Sequence, residues 1–124
     1  MSIFDHISIP VSDFERSRTF YQAALAPLGV EQRFVASERF VAGFGKDKVA
    51  FFIAGDRVGA TTVHMAFAAE SREQVDAFYV AALAAGGRDN GAPGLRPKYH
   101  AGYYAAFVID PHGNNIEAVF HEPS

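Results

Sequence analysis

The sequence predicts an α+β domain built from two copies of one strand–helix–strands unit. Three observations carry that prediction. The heptapeptide Phe20-Tyr21-Gln22-Ala23-Ala24-Leu25-Ala26 recurs as Phe78-Tyr79-Val80-Ala81-Ala82-Leu83-Ala84, with six identities at an offset of 58 residues. The same offset takes His6 to His64, Glu15 to Glu73 and Gly29 to Gly87. Runs of alternating apolar residues flank both helical stripes, as strands require. The duplication divides one domain of 124 residues into module one, residues 1–57, and module two, residues 58–124.

Module one opens with an alternating strand over Ile3 to Val11, in which Phe4, His6 and Ser8 share a face opposite Ile3, Asp5, Ile7 and Ile9. Ser12-Asp13-Phe14-Glu15 has the form of a capping box, in which side chains satisfy the free amides of a helix start. A helix to about Ala26 follows, with Phe20, Tyr21, Ala24, Leu25 and Leu28 on one stripe. Pro27 and Gly29 end it. Three short strands are expected at Val30 to Val35, Arg39 to Phe44 and Val49 to Ala54.

Module two restarts the pattern after Gly55 to Gly59. A strand is expected over Thr61 to Ala68, with His64 on one face and Val63, Met65 and Phe67 on the other. Ser71-Arg72-Glu73-Gln74 is a second capping box, displaced by one residue from the repeat offset. The helix behind it lines up Val75, Phe78, Tyr79, Ala82 and Leu83 and stops at Gly86-Gly87. A short strand is expected near Arg88 to Gly91, then a long Gly- and Pro-rich loop carrying Arg96, Lys98, Tyr99 and His100. Two strands close the chain. They are joined at Asp110-Pro111-His112-Gly113-Asn114, where Asp, Pro and Gly stand at positions suited to a tight turn.

Composition narrows the function. The net charge of −3 and the lack of a Lys/Arg run argue against a nucleic-acid or anionic-membrane partner. With no cysteine, disulfides, thiolate metal sites and a Cys nucleophile are excluded. No basic region precedes the first apolar stretch, so no signal peptide is expected, and the apolar run Phe78 to Ala85 is too short to span a bilayer. A cytoplasmic protein is the expectation.

Glu117 stands mid-strand among apolar neighbours, where an unpaired carboxylate is costly. If Ile7, Ile9, Met65, Phe67, Ile116, Ala118 and Phe120 cover the helices, then His6, His64 and Glu117 project from the concave side of the sheet. Two imidazoles and a carboxylate form a set that holds a divalent Fe, Mn, Ni, Co or Zn ion. The bland alternative is a hydrogen-bonded strand histidine and a solvent-facing glutamate. His112 reads as a turn residue and His121 as an exposed strand end.

These residues resemble the vicinal oxygen chelate superfamily, which includes glyoxalase I, bleomycin-resistance proteins and extradiol dioxygenases. The resemblance rests on Asp5 to Asp13, on Phe20-Tyr21, on His64 and on Tyr104 to Glu117. It implies two βαβββ modules forming a curved, cup-shaped mixed-sheet barrel. It implies metal ligands at His6, His64 and Glu117, and a homodimer. Matching the turn Lys46-Asp47 to His112-Gly113 puts Phe51 opposite Glu117, and nothing in Val49 to Ala54 can bind metal. The pattern is thus closer to extradiol dioxygenases and fosfomycin-modifying enzymes than to glyoxalase I.

Two functions compete. One is a divalent-metal-dependent lyase, dioxygenase or transferase acting on a small substrate chelated through adjacent oxygens, with Tyr104 and His100 as catalytic acid/base groups. The other is a metal-free antibiotic-binding protein of the bleomycin-resistance type, with Phe51, Tyr99 and Tyr104 stacking on its ligand.

Overall fold

A computed structural model describes residues 4–55 and 62–123. The first unit runs β1 (Ile7–Pro10), α1 (Phe14–Leu25), β2 (Glu31–Ala36), β3 (Val41–Gly45) and β4 (Phe51–Ala54), with short 3-10 turns at Ala26–Leu28 and Ser37–Arg39. The second runs β5 (His64–Ala68), α2 (Arg72–Ala84), β6 (Arg88–Asp89), β7 (Gly94–Leu95), β8 (Tyr103–Ile109) and β9 (Asn115–His121). Part of the strand expected from Thr61 lies outside the described residues. β7 was not expected; it pairs with β8 and ties down the long loop.

The two sheets repeat one topology. Their strand orders are β1-β4-β3-β2 and β5-β9-β8-β6, and in each the first strand runs parallel to the last. Among the described residues no strand pairing joins them, so the fold is an open cup of two sheets rather than a closed hydrogen-bonded barrel. The α+β class with paired βαβββ units is borne out. The helix stripes form one shared core. Phe20, Tyr21, Ala24, Leu25, Leu28, Val75, Phe78 and Ala82 are fully buried. Each large apolar side chain buried there contributes about 1.5–3 kcal/mol.

The helix starts correct one expectation. The cap of α1 is Asp13, whose carboxylate accepts from the Arg16 amide at 3.2 Å. Ser12 turns away instead, and its amide donates to His112 Nδ1 at 3.0 Å. Ser71 caps α2, accepting from the Gln74 amide at 3.1 Å. The caps Asp13 and Ser71 therefore obey the 58-residue offset of the repeat. No helix among the described residues is long and apolar enough to cross a membrane.

Candidate active site

The strand registers decide which side chains share the cup. Met65 pairs with Ile116 and Phe67 with Ala118, on the helix side. The opposite face carries His64, Ala66, Glu117 and, across the hairpin, Phe107. Glu117 has an exposure of 1%, whereas the His64 side chain beside it is 54% exposed. His64 Nε2 lies 2.8 Å from Glu117 Oε1. The Tyr103 hydroxyl donates to the other carboxylate oxygen, Oε2. The buried acid is thus bonded on both oxygens, which offsets its desolvation. Tyr103 is pushed up to about 12, first by its own burial and then by the bond to Glu117. At neutral pH it is a proton donor held against the carboxylate.

His6 sits just before β1 and is 57% exposed. Its Nδ1 lies 2.8 Å from Asp5 Oδ1, and Asp5 also accepts from Lys48 at 3.2 Å. Its ring meets Phe52 edge-on at 5.6 Å. His6 and His64 line one open cleft of about 530 Å³, together with Ile7, Ala50, Met65 and Ala66. The donor chemistry suits a divalent metal, with two imidazoles facing one space and a carboxylate touching one of them. Yet among the described residues no three His, Cys, Asp or Glu side chains are gathered closely enough to hold an ion. Of the three expected ligands, the structure brings together His64 and Glu117, and leaves His6 with Asp5 and Phe52.

The position that matches Glu117 in module one is Phe52, not Phe51. Ala66 pairs with Glu117 and Ser8 with Phe52, and these two partners obey the repeat offset. The first hairpin is one residue shorter, since Gly43 pairs with Phe52 whereas Phe107 pairs with Glu117. Matching the turns by sequence therefore slips the register by one, which flips the face. Phe51 points into the core against Tyr21, Phe44 and Phe67. It does not line the cup.

Of the two acid/base residues expected from sequence, Tyr104 lies on the far side of the sheet from this array, and His100 meets it through Tyr103. Tyr104 pairs with Phe120 on the helix side. Its hydroxyl donates to Asp76 at 2.6 Å, and the Arg72 guanidinium lies 4.6 Å from its ring centre. The bond to Asp76, aided by desolvation, raises its pKa. His100 reaches the rim: its Nδ1 donates to the Ala101 carbonyl, and its ring stacks on His121 and packs edge-on against Tyr103. Tyr103 is the residue that sequence reasoning missed. The signal was present, because a hairpin centred on His112 sets Phe107 opposite Glu117 and gives Tyr103 the parity of Phe107.

A cup of two such sheets, with a histidine–carboxylate–tyrosine array on its inner face, has the glyoxalase fold. A family model described as the Glyoxalase/Bleomycin resistance protein/Dioxygenase superfamily matches residues 3–118, and the chain belongs to that superfamily. A glyoxalase/bleomycin resistance protein from Albidiferax ferrireducens T118 is 34% identical, covers 98% of this chain and 100% of its own, and superposes with a TM-score of 0.82. A glyoxalase/bleomycin resistance protein/dioxygenase family enzyme from Burkholderia phytofirmans PsJN is similar in fold, with 20% identity, TM-score 0.71 and coverage of 95% and 98%. Lactoylglutathione lyase from Agrobacterium tumefaciens has the same fold at 16% identity and TM-score 0.70, covering 97% of this chain and 94% of its own. No curated protein matches the sequence.

Proposed function

We propose that this protein is a divalent-metal-dependent enzyme acting on a small substrate in the cup. The observation that carries the reading is the buried Glu117 bridging Tyr103 and the exposed His64 at the cleft. His64, Glu117 and His6 are the residues that would hold the ion. When bound, the metal supplies Lewis-acid polarisation of two neighbouring substrate oxygens. Until an ion is bound, the contact between Glu117 Oε1 and His64 Nε2 keeps the two ligand side chains side by side. Tyr103 keeps its proton on Oη and holds Oε2, so the carboxylate stays in place as substrate enters. His64, the exposed member, is the group an entering substrate meets first. The protein works as a homodimer in the cytoplasm.

A metal-free, antibiotic-binding reading has its own support. His6 rests on Phe52 and Phe52 on Phe34, so the module-one wall of the cup is aromatic.

Elemental analysis separates the two. The wild type is loaded with Fe(II), Mn(II), Ni(II), Co(II) or Zn(II), dialysed, and compared with Glu117→Ala, His64→Ala and His6→Ala. The enzyme reading expects about one ion per chain, lost in the first two variants and reduced in the third. A wild type that retains none of the five ions sinks it and leaves the ligand-sequestering cup.

A further inference from the structure

A second cleft, of about 280 Å³, opens on the same inner face and is lined by Asn90, Arg96, Lys98, Tyr99, Phe107 and Asn115. It is small for a whole ligand and sized for one end of it. Its walls are cationic on a protein whose net charge is −3. Among the described residues neither Arg96 nor Lys98 has a carboxylate partner, whereas Lys46, Lys48 and Arg72 do.

Arg96 is held in place before any ligand arrives. Its amide donates to the Tyr103 carbonyl at 2.8 Å, its Nη2 donates to the Ala92 carbonyl at 2.7 Å, and its guanidinium lies 5.4 Å from the Phe107 ring centre. Lys98 Nζ lies 5.3 Å from the Tyr99 ring centre. Asn90 and Asn115 are bonded to each other at 3.2 Å and bring amide donors to the floor. A planar fork, an ammonium and amides around a small space are the chemistry that receives an oxyanion.

The cleft also adjoins the reacting array. Asn115 is the register partner of His64, and the Phe107 ring lies 6.2 Å from the His64 ring. We propose that this cleft is an anion subsite, taking the carboxylate or phosphonate end of a small substrate whose reacting atoms lie against His64 and Glu117. The subsite gives the substrate class, and its role in turnover rests on the enzyme reading above.

Calorimetric titration of the purified full-length chain with benzoate, phenylphosphonate and the neutral benzyl alcohol tests it. One or both anions bind, at least about tenfold tighter than the alcohol, as charge-assisted hydrogen bonds require. Their order tells carboxylate from phosphonate. Arg96→Gln and Lys98→Gln each weaken the preferred anion by about tenfold, and Arg96→Lys recovers part of the loss. Lys46→Gln, which removes a cation outside the cleft, leaves that affinity within about twofold. Equal binding of benzyl alcohol overturns the proposal. So does wild-type affinity in the Arg96→Gln/Lys98→Gln double variant with unchanged circular dichroism. Anion binding lost in His64→Gln but kept in that double variant assigns the anion to the metal centre and overturns it too. Failure of metal retention alone would remove the enzyme reading and leave the subsite standing.

Discussion

His6 and His64 hold the same place in two sheets of one topology, yet their neighbours differ in kind. His64 bonds the carboxylate of Glu117, while His6 meets the ring of Phe52 at the matching position. The module-two wall can hold and orient charge, and the module-one wall offers an aromatic surface. A duplicated scaffold keeps its backbone ladder and its helix-facing side chains, because both units must bury a helix. The inner face carries no such demand, so it is free to differ.

The largest expected effects come from exchanging that difference. Glu117→Gln should weaken metal retention by about 10–100-fold or more, measured by competition with a chelating dye. Phe52→Glu should place a carboxylate beside His6 and strengthen retention by about tenfold. It should also destabilise the fold by about 1–3 kcal/mol in urea melts, because the half-buried position lacks a second partner for the acid. Unchanged retention in Phe52→Glu would show that the two positions are not equivalent.

The two glycines related by the repeat offset, Gly29 and Gly87, take different places in the fold and sharpen the comparison. A Cβ on Gly87 would lie 2.4 Å from Val108 Cγ1, 2.8 Å from the Ala82 carbonyl and 2.8 Å from the Phe20 ring. A Cβ on Gly29 would meet only Lys46 Cε, at 3.9 Å, but φ there is +79°. Gly87→Ala should cost about 2–3 kcal/mol by overpacking. Gly29→Ala should cost about 1 kcal/mol through backbone strain alone. Equal urea midpoints would break the contrast.

The equivalent tyrosines give the smallest pair of effects. Tyr21 donates to buried Asp110 at 2.5 Å, joining α1 to the β8–β9 turn. Tyr79 donates to Asp89 at 3.0 Å near the surface. Tyr21→Phe should cost about 1–2 kcal/mol, and Tyr79→Phe should not measurably shift the melting midpoint. Burial and Asp110 raise the Tyr21 pKa well above its ordinary 10.0. The folded state therefore keeps a proton that the unfolded chain releases. The Tyr21 contribution is fully present below pH 10 and is lost as pH rises beyond it. Urea melts between about pH 9 and 11 should show that decline, and Tyr21→Phe should make it shallower, leaving the part due to Tyr103 and Tyr104.

Much of this was legible in the chain. Six identities in a heptapeptide gave the helices, and both stripes proved to be core. The parity of Glu117 against Ile116 and Ala118 placed it on the inner face beside His64. Errors arose where parity depended on a turn. One residue of difference between the hairpins moved the match from Phe52 to Phe51. Tyr104 shares the parity of Ala106 and Val108, and that parity faces the helices. The α1 cap was misread because Ser12 and Asp13 are both good caps, and only the contact from Ser12 to His112, 100 residues away, chose between them.

The sequence by itself determined the repeat, the helix stripes and the family, because each rests on local periodicity or on residue identity. The tertiary structure alone decided that Tyr103 joins His64 on Glu117, that His6 rests on Phe52, and that Arg96 and Lys98 border one cleft near them. Those outcomes depend on hairpin register and on loop path. A single residue in a turn changes which face a side chain takes, and no local pattern records the neighbour it will meet.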